Sequence, residues 1–261
     1  MAQTTLPMPG TGGSTTPARV PVLSVDIDHL SWAQALVRFR TAQFIVTPNI
    51  DHLYNLRRNP AFQAAYRRAD LVLCDSRVLS LLSGFCCGTH LPQIAGSDYF
   101  PAVCRYYQND ESVRIFLLGG TTAAHAERAT ERLRSQYQAR IVGHYSPPFD
   151  FEHDEAQVAG IVARIAASGA TVVAVGLGSP KQELLIARLL EMPTGASTFV
   201  AIGATIDFES GLLRRAPKLV TRAGVEWLYR FLQEPRRLFV RYFVHDPVVI
   251  FWLLRRRLRG H

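Results

Sequence analysis

The residues of this chain that can do chemistry gather in five short stretches, each following an apolar run and preceding a helical pattern. They are Thr47-Pro48-Asn49-Ile50-Asp51-His52, Asp75-Ser76-Arg77, Gly119-Gly120-Thr121, Gly176-Leu177-Gly178-Ser179-Pro180-Lys181-Gln182-Glu183, and Gly203 to Asp207. A glycine-rich turn that runs through Ser-Pro into a helix leaves backbone N–H groups unpaired at the positive end of the helix dipole. Such an end favours an anionic ligand, for example a nucleotide diphosphate. One such glycine alone reads more simply as a tight turn. Five loops of this kind at one sheet edge read as a site.

Familiar motifs exclude several chemistries. Gly176-Leu177-Gly178 begins like G-x-G-x-x-G, but Lys181 stands where the third glycine belongs, which argues against a dinucleotide fingerprint. Neither a G-x-x-x-x-G-K-[ST] phosphate loop nor a G-x-S-x-G nucleophile elbow occurs. Asp26-Ile27-Asp28 has the D-x-D form of metal-dependent sugar transferases, yet two short acids there serve equally as N-caps for a helix over Trp32 to Phe39. The histidines have no ligand spacing, and Cys74, Cys86, Cys87 and Cys104 form no C-x-x-C pair, so no metal site is expected and the thiols read as reduced.

The elements that must hold these loops are legible as an alternation. Strands are expected at Val22–Ile27, Phe44–Thr47, Leu71–Cys74, Val113–Leu118, Arg140–Gly143, Thr171–Val175 and Thr198–Ile202. Helical patterns begin at Asn59-Pro60 and cover Ala123–Tyr137, Asp154–Ala167 and Pro180–Leu190. Nearly continuous apolar strands separated by helices predict an α/β fold: a Rossmann-like, largely parallel sheet with helices on both faces. Ligands of such sheets bind outside the carboxyl ends of the strands, where the five loops lie. With 48% hydrophobic and 19% charged residues among 261, the chain can bury a large core, which excludes extended disorder, coiled coil and collagen.

Three segments follow: a disordered leader over 1–20, the α/β domain over 21–213, and a helical, basic C-terminal appendage over 214–261. The leader lacks the basic start and apolar core of a signal peptide, and the longest apolar run, Pro247–Leu254, is too short to span a bilayer, so a cytoplasmic protein is expected. The whole chain carries a formal charge of +8, and the appendage holds 12 lysines and arginines against only Glu226, Glu234 and Asp246. Such a segment suits a polyanion: an anionic membrane surface, substrate phosphates or nucleic acid. Pro235 and Pro247 should break it into helices over Val225–Gln233, Arg236–Val244 and Val248–Arg257.

The order of the loops resembles one known family. Thr47-Pro48-Asn49, Ala69-Asp70-Leu71-Val72-Leu73-Cys74-Asp75, Ala95-Gly96-Ser97-Asp98, Phe116 to Gly120, Val175 to Glu183, Asp207-Phe208 with Arg215-Ala216-Pro217-Lys218, and Gly224 to Arg230 through Glu234-Pro235-Arg236-Arg237 closely resemble the WecG/TagA/CpsF bacterial glycosyltransferases. The resemblance implies inverting transfer of a hexosyl group, of N-acetylmannosaminyl or glucosyl type, from a UDP-sugar. The implied acceptor is a sugar on a polyprenyl diphosphate at the inner face of the cell membrane, in surface or exopolysaccharide synthesis, and the transfer needs neither metal nor cofactor. The family's acidic motif reads Asp-Gly-x-Gly, whereas this chain has Asp75-Ser76-Arg77-Val78 and keeps only the aspartate.

Roles follow by position. An inverting transfer needs a carboxylate to take the acceptor hydroxyl proton, which assigns Asp75 as base; the alternative for Asp75 is a helix N-cap before Val78–Leu82. Thr47 and Asn49 orient sugar or acceptor. The helix start with Gly176, Gly178, Ser179 and Lys181 meets the leaving diphosphate, Gln182 and Glu183 bind sugar or uridine hydroxyls, and Gly119, Gly120 and Asp207 complete the nucleotide-sugar site. Arg230, Arg237 and Arg241 match the arginines that grip the acceptor diphosphate. The competing readings are a nucleic-acid module and a non-catalytic membrane-recruitment protein; no reading helix or aromatic sheet motif accompanies the arginines, so no nucleic acid is expected. A homo-oligomer is compatible with the sequence.

Overall fold

Apolar runs of two to five residues build a six-stranded, all-parallel sheet in the computed structural model, which describes residues 18–217, 220 and 226–258. All of the expected leader except Ala18, Arg19 and Val20 lies outside the described residues, as do Lys218, Gly224 and the side chain of Arg237. The strands are β3 (Phe44–Val46), β4 (Leu71–Val72), β5 (Ile115–Gly119), β6 (Ile141–Tyr145), β7 (Val172–Gly176) and β8 (Thr198–Ala201), in spatial order β4-β3-β8-β7-β5-β6. Because side chains alternate along a strand, each contributes to two cores. Phe44, Phe116, Val173 and Phe199 enter one cluster, and Ile45, Leu117, Ala174 and Val200 enter the other.

Helices cover both faces, as the continuous apolar strands require. On one side lie α2 (Ile50–Arg58), α3 (Pro60–Tyr66), α7 (Glu155–Ser168) and α8 (Lys181–Leu189); on the other lie α1 (Trp32–Arg38), α5 (Gly96–Tyr106), α6 (Ala123–Tyr137) and α9 (Thr205–Glu209). The helix α4 (Arg77–Cys87) follows the second of the five loops, with Ser76 as its cap. The register pairs Gly119 with Gly176 and Val175 with Ala201, so the carboxyl ends of β5, β7 and β8 finish at one level and their loops meet.

Two expectations are corrected. The strand expected at Val22–Ile27 is an antiparallel hairpin of β1 (Arg19–Val22) and β2 (Val25–Asp28), turned at Leu23 with φ 55°. It does not join the sheet. Instead Asp28 accepts the Val72 N–H at 2.8 Å and pairs with Arg19 at 3.0 Å, so the acid of the D-x-D stretch closes the free edge of β4. The cap of α1 is Ser31, in a capping box with Gln34, and neither acid serves.

The appendage also differs from the expected three separate helices. Following α10 (Glu226–Gln233), Pro235 opens α11 (Pro235–Val240), as a first-turn proline does. The chain then continues through a π turn, Arg241–His245, into α12 (Asp246–Leu258), with Pro247 in its first turn. The Asp246 N–H bonds to the Arg241 carbonyl, five residues back. That widened turn relieves the clash a proline makes with the preceding turn, so Pro247 does not break the helix. Val249 and Leu253 are fully buried and belong to the core cluster of α2 and α4.

Candidate active site

Asp75 stands just past β4, and the alternative that it caps α4 is excluded: the cap is Ser76, whose side chain accepts the Leu79 N–H at 3.3 Å. The Asp75 carboxylate instead accepts the Gly96 N–H at 2.8 Å, at the start of α5. Gly96 is required there, since a Cβ would lie 2.7 Å from Thr47 Oγ1. One glycine therefore packs on Thr47 and orients Asp75. Asn49 caps α2, its Oδ1 accepting the His52 N–H at 3.3 Å. These contacts bring Thr47, Asn49 and Asp75 to one end of the sheet.

Burial sets the electrostatics. Asp75 is enclosed on most sides but keeps an opening to solvent, and desolvation pushes its carboxyl above the usual range. The Gly96 N–H and the charges of Arg230 and Arg241 pull it back down, while Asp98 pushes it up. The two appendage arginines thus act on the carboxylate assigned as base. His52 Nδ1 lies 2.5 Å from the Tyr66 hydroxyl in the buried layer below, and desolvation with the Arg241 charge lowers its pKa to about 3, so the ring is neutral. Burial, followed by the charges of Glu183 and Asp75, raises the Tyr66 hydroxyl well above its ordinary value.

The start of α8 forms the other wall. Gln182 bridges two loops: its Oε1 accepts the Gly203 N–H at 3.1 Å and its Nε2 donates to Glu183 Oε1 at 2.9 Å. Glu183 is fully buried, and desolvation raises its pKa to about 7. Ser179 stands near enough to oppose that rise, but neither Ser179 Oγ nor Glu183 Oε2 has a partner in hydrogen-bonding geometry. The two buried polar atoms thus lie together at the start of α8. Between about pH 4.5 and 7 the unfolded chain has released the Glu183 proton and the folded protein still holds it, so stability falls as pH rises through that window and levels off above it. Glu183→Gln removes this dependence. Its Tm, relative to the unaltered protein, should climb by several degrees between pH 4.5 and 7.5 in parallel thermal melts; a pH-independent difference would refute the assignment.

The remaining expected residues divide. At Gly119, φ is 132° and a Cβ would lie 2.2 Å from the Gly176 carbonyl oxygen, so the β5 and β7 loops touch through backbone. Gly120 and Gly178 also have positive φ beside this contact. Lys181 turns away, pairing with Glu152 at 2.5 Å beside Phe149 and Phe151. Asp207 accepts the Thr121 N–H and hydroxyl at 3.2 and 3.0 Å, tying α9 to the β5 loop. Arg230 lies 5.6 Å above the Phe208 ring, and the Nε atoms of both Arg230 and Arg241 are buried without a partner. The sequence assigned no role to Tyr66 and named His52, Gly96 and Arg215 only within longer stretches, although Arg215 links α5 and α9 through Asp98, the Ser97 carbonyl and Glu209.

A family model described as the glycosyl transferase WecG/TagA/CpsF family matches residues 20–261. The chain belongs to this family. It is a glycosyltransferase of a family that acts on lipid-linked sugars in cell-envelope polymer synthesis. The match spans the appendage as well as the sheet domain, in keeping with a site to which both contribute charged groups. No helix among the described residues is long and apolar enough to cross a membrane.

Proposed function

We propose that this member transfers a hexosyl group, of N-acetylmannosaminyl or glucosyl type, from a UDP-sugar to a sugar carried on a polyprenyl diphosphate, with inversion and without a metal ion. The observation that carries the reading is that Arg230 and Arg241, each with a buried Nε left without a partner, lie near enough for their charges to lower the Asp75 carboxyl, which supports cations for an acceptor diphosphate near a base for the acceptor hydroxyl. In this mechanism Asp75 takes the hydroxyl proton as the acceptor oxygen bonds to the anomeric carbon. The bond from that carbon to the diphosphate breaks, and its electron pair leaves with UDP. Thr47 and Asn49 line the acceptor side, and the backbone of the Gly119, Gly176 and Gly178 loops with Ser179 meets the departing diphosphate. The protein works at the inner membrane face, on anionic lipid.

The test is UDP release by the full-length protein. UDP-N-acetylmannosamine and UDP-glucose are each mixed with a panel of polyprenyl-diphosphate-linked sugars in the presence of EDTA. Acceptor-dependent release with one donor is expected, at a rate that EDTA leaves unchanged. Release abolished by EDTA and restored by Mn²⁺ or Mg²⁺ would overturn the metal-free mechanism. Failure of every pair would overturn the assigned donor and acceptor classes.

A further inference from the structure

The π turn that interrupts the appendage carries Arg241 at its start and His245 at its end, and His245 makes a short polar contact with α2. His245 Nδ1 lies 2.6 Å from Asp51 Oδ1, with both side chains largely buried. Asp51 sits in the first turn of α2, two residues after the Asn49 cap, where the helix dipole favours its charge. The His245 ring stacks on Tyr54, one turn further along α2, with centroids 3.9 Å apart and planes inclined by 12°. Trp252 stacks beyond it on the same tyrosine at 5.9 Å, and Arg57 lies 4.4 Å over the Trp252 ring.

We propose that Asp51 and His245 are positioning residues, a clasp that fixes the π turn on α2 and so holds Arg241 over the active site. The inference rests on the reading of Arg241 as a diphosphate-binding residue. Three residues separate Arg241 from His245, and the turn between them is the wider π form, so anchoring one end sets the direction of the other. The arginine needs such an anchor. Its Nε is buried without a partner, and its guanidinium charge reaches three groups on different elements: Asp75, His52 and Asp246. A charge-assisted bond between helices, backed by a ring stack, orients it without placing a competing carboxylate on the arginine itself. Asp51 lies in the Thr47–His52 stretch that also supplies Thr47 and Asn49. That stretch therefore serves the acceptor side twice, directly and through the appendage.

The experiment uses the full-length protein and farnesyl diphosphate as an isoprenoid-diphosphate probe, with hydrogen exchange of residues 241–258 as a second readout. Asp51→Ala and Arg241→Ala should each weaken probe binding by about 10-fold, as expected for loss of a charge-assisted contact. The double variant should bind no worse than Arg241→Ala, because one residue acts through the other. Exchange over 241–258 should speed up in Asp51→Ala and stay unchanged in Arg241→Ala. His245→Asn, which keeps an N–H near the Nδ1 position, should recover most of the binding that His245→Phe loses while retaining a flat ring over Tyr54. Additive losses in the double variant would show that Asp51 acts on the ligand itself, and unaltered exchange in Asp51→Ala would show that the clasp holds nothing. If Arg241→Ala bound the probe normally, the reading of the arginine would fail, and exchange alone would decide the clasp.

Discussion

Asp75→Asn should lower turnover by about 100-fold or more while leaving UDP affinity unchanged, as loss of a general base does. The substitution suits the site. The contact at stake is one backbone N–H donated from Gly96 to Oδ1 at 2.8 Å, and an asparagine oxygen accepts it equally well, so α5 stays in place. What disappears is the basicity that burial had raised and the two arginines had moderated. The same balance predicts an acid limb in the pH–rate profile of the unaltered enzyme, with activity falling as Asp75 takes up a proton. Taking away the Arg241 charge would raise the Asp75 pKa further and move that limb to higher pH. Turnover near normal in the purified Asp75→Asn protein, with unchanged melting, would remove the residue from the mechanism.

The sheet was legible in the sequence because most of its strands are buried on both sides and appear as unbroken apolar words such as Ile115–Leu118, the edge strand Ile141–Tyr145 being the exception. The hairpin was misread because β1 and β2 are joined by only Leu23 and Ser24, and Leu23 takes a positive φ that nothing in its chemistry announces. Two helices at the site escaped for related reasons. Ile50–Arg58 buries a histidine beside Leu53 and Leu56, and Gly96–Tyr106 opens on a glycine and contains Pro101, so residue types that usually mark loops masked two helices whose apolar residues do share a face. For that reason Gly96 stood out only as part of a motif. Its work depends on a Thr47 side chain 49 residues earlier in the chain, a proximity no local spacing encodes. Lys181 marks the opposite case: its position at a glycine-rich helix start suggested a phosphate contact, but an acid on the 3-10 turn Phe151–His153 reaches it first.

Replacing Arg255, Arg256 and Arg257 together by glutamate should weaken binding to anionic vesicles by at least about 100-fold, since each basic residue near such a surface contributes ~1 kcal/mol. The surface these arginines flank is apolar and exposed. Phe251, Leu254 and Leu258 form a row on α12, and Val78, Leu81 and Phe85 form a row on the neighbouring α4. Arg257 joins the rows, its guanidinium 4.5 Å over the Phe85 ring and bonded to the Phe85 carbonyl. Rows of large apolar side chains edged with cations match the boundary between headgroups and acyl chains, and α4 begins one residue after Ser76, so a lipid-bound acceptor would meet Asp75 close to that boundary. Point substitutions are the cleaner test than truncation at residue 214. Val249 and Leu253 share the core of α2 and α4, and deleting them would expose apolar surface that itself binds lipid nonspecifically. The glutamate variant leaves Asp75, Arg230 and Arg241 in place, so it should still release UDP with a short-chain, water-soluble acceptor while failing to sediment with vesicles rich in anionic lipid. Unaltered sedimentation would show that lipid contact lies elsewhere, and tighter binding of the unaltered protein to oligonucleotides than to vesicles would assign the arginines to nucleic acid.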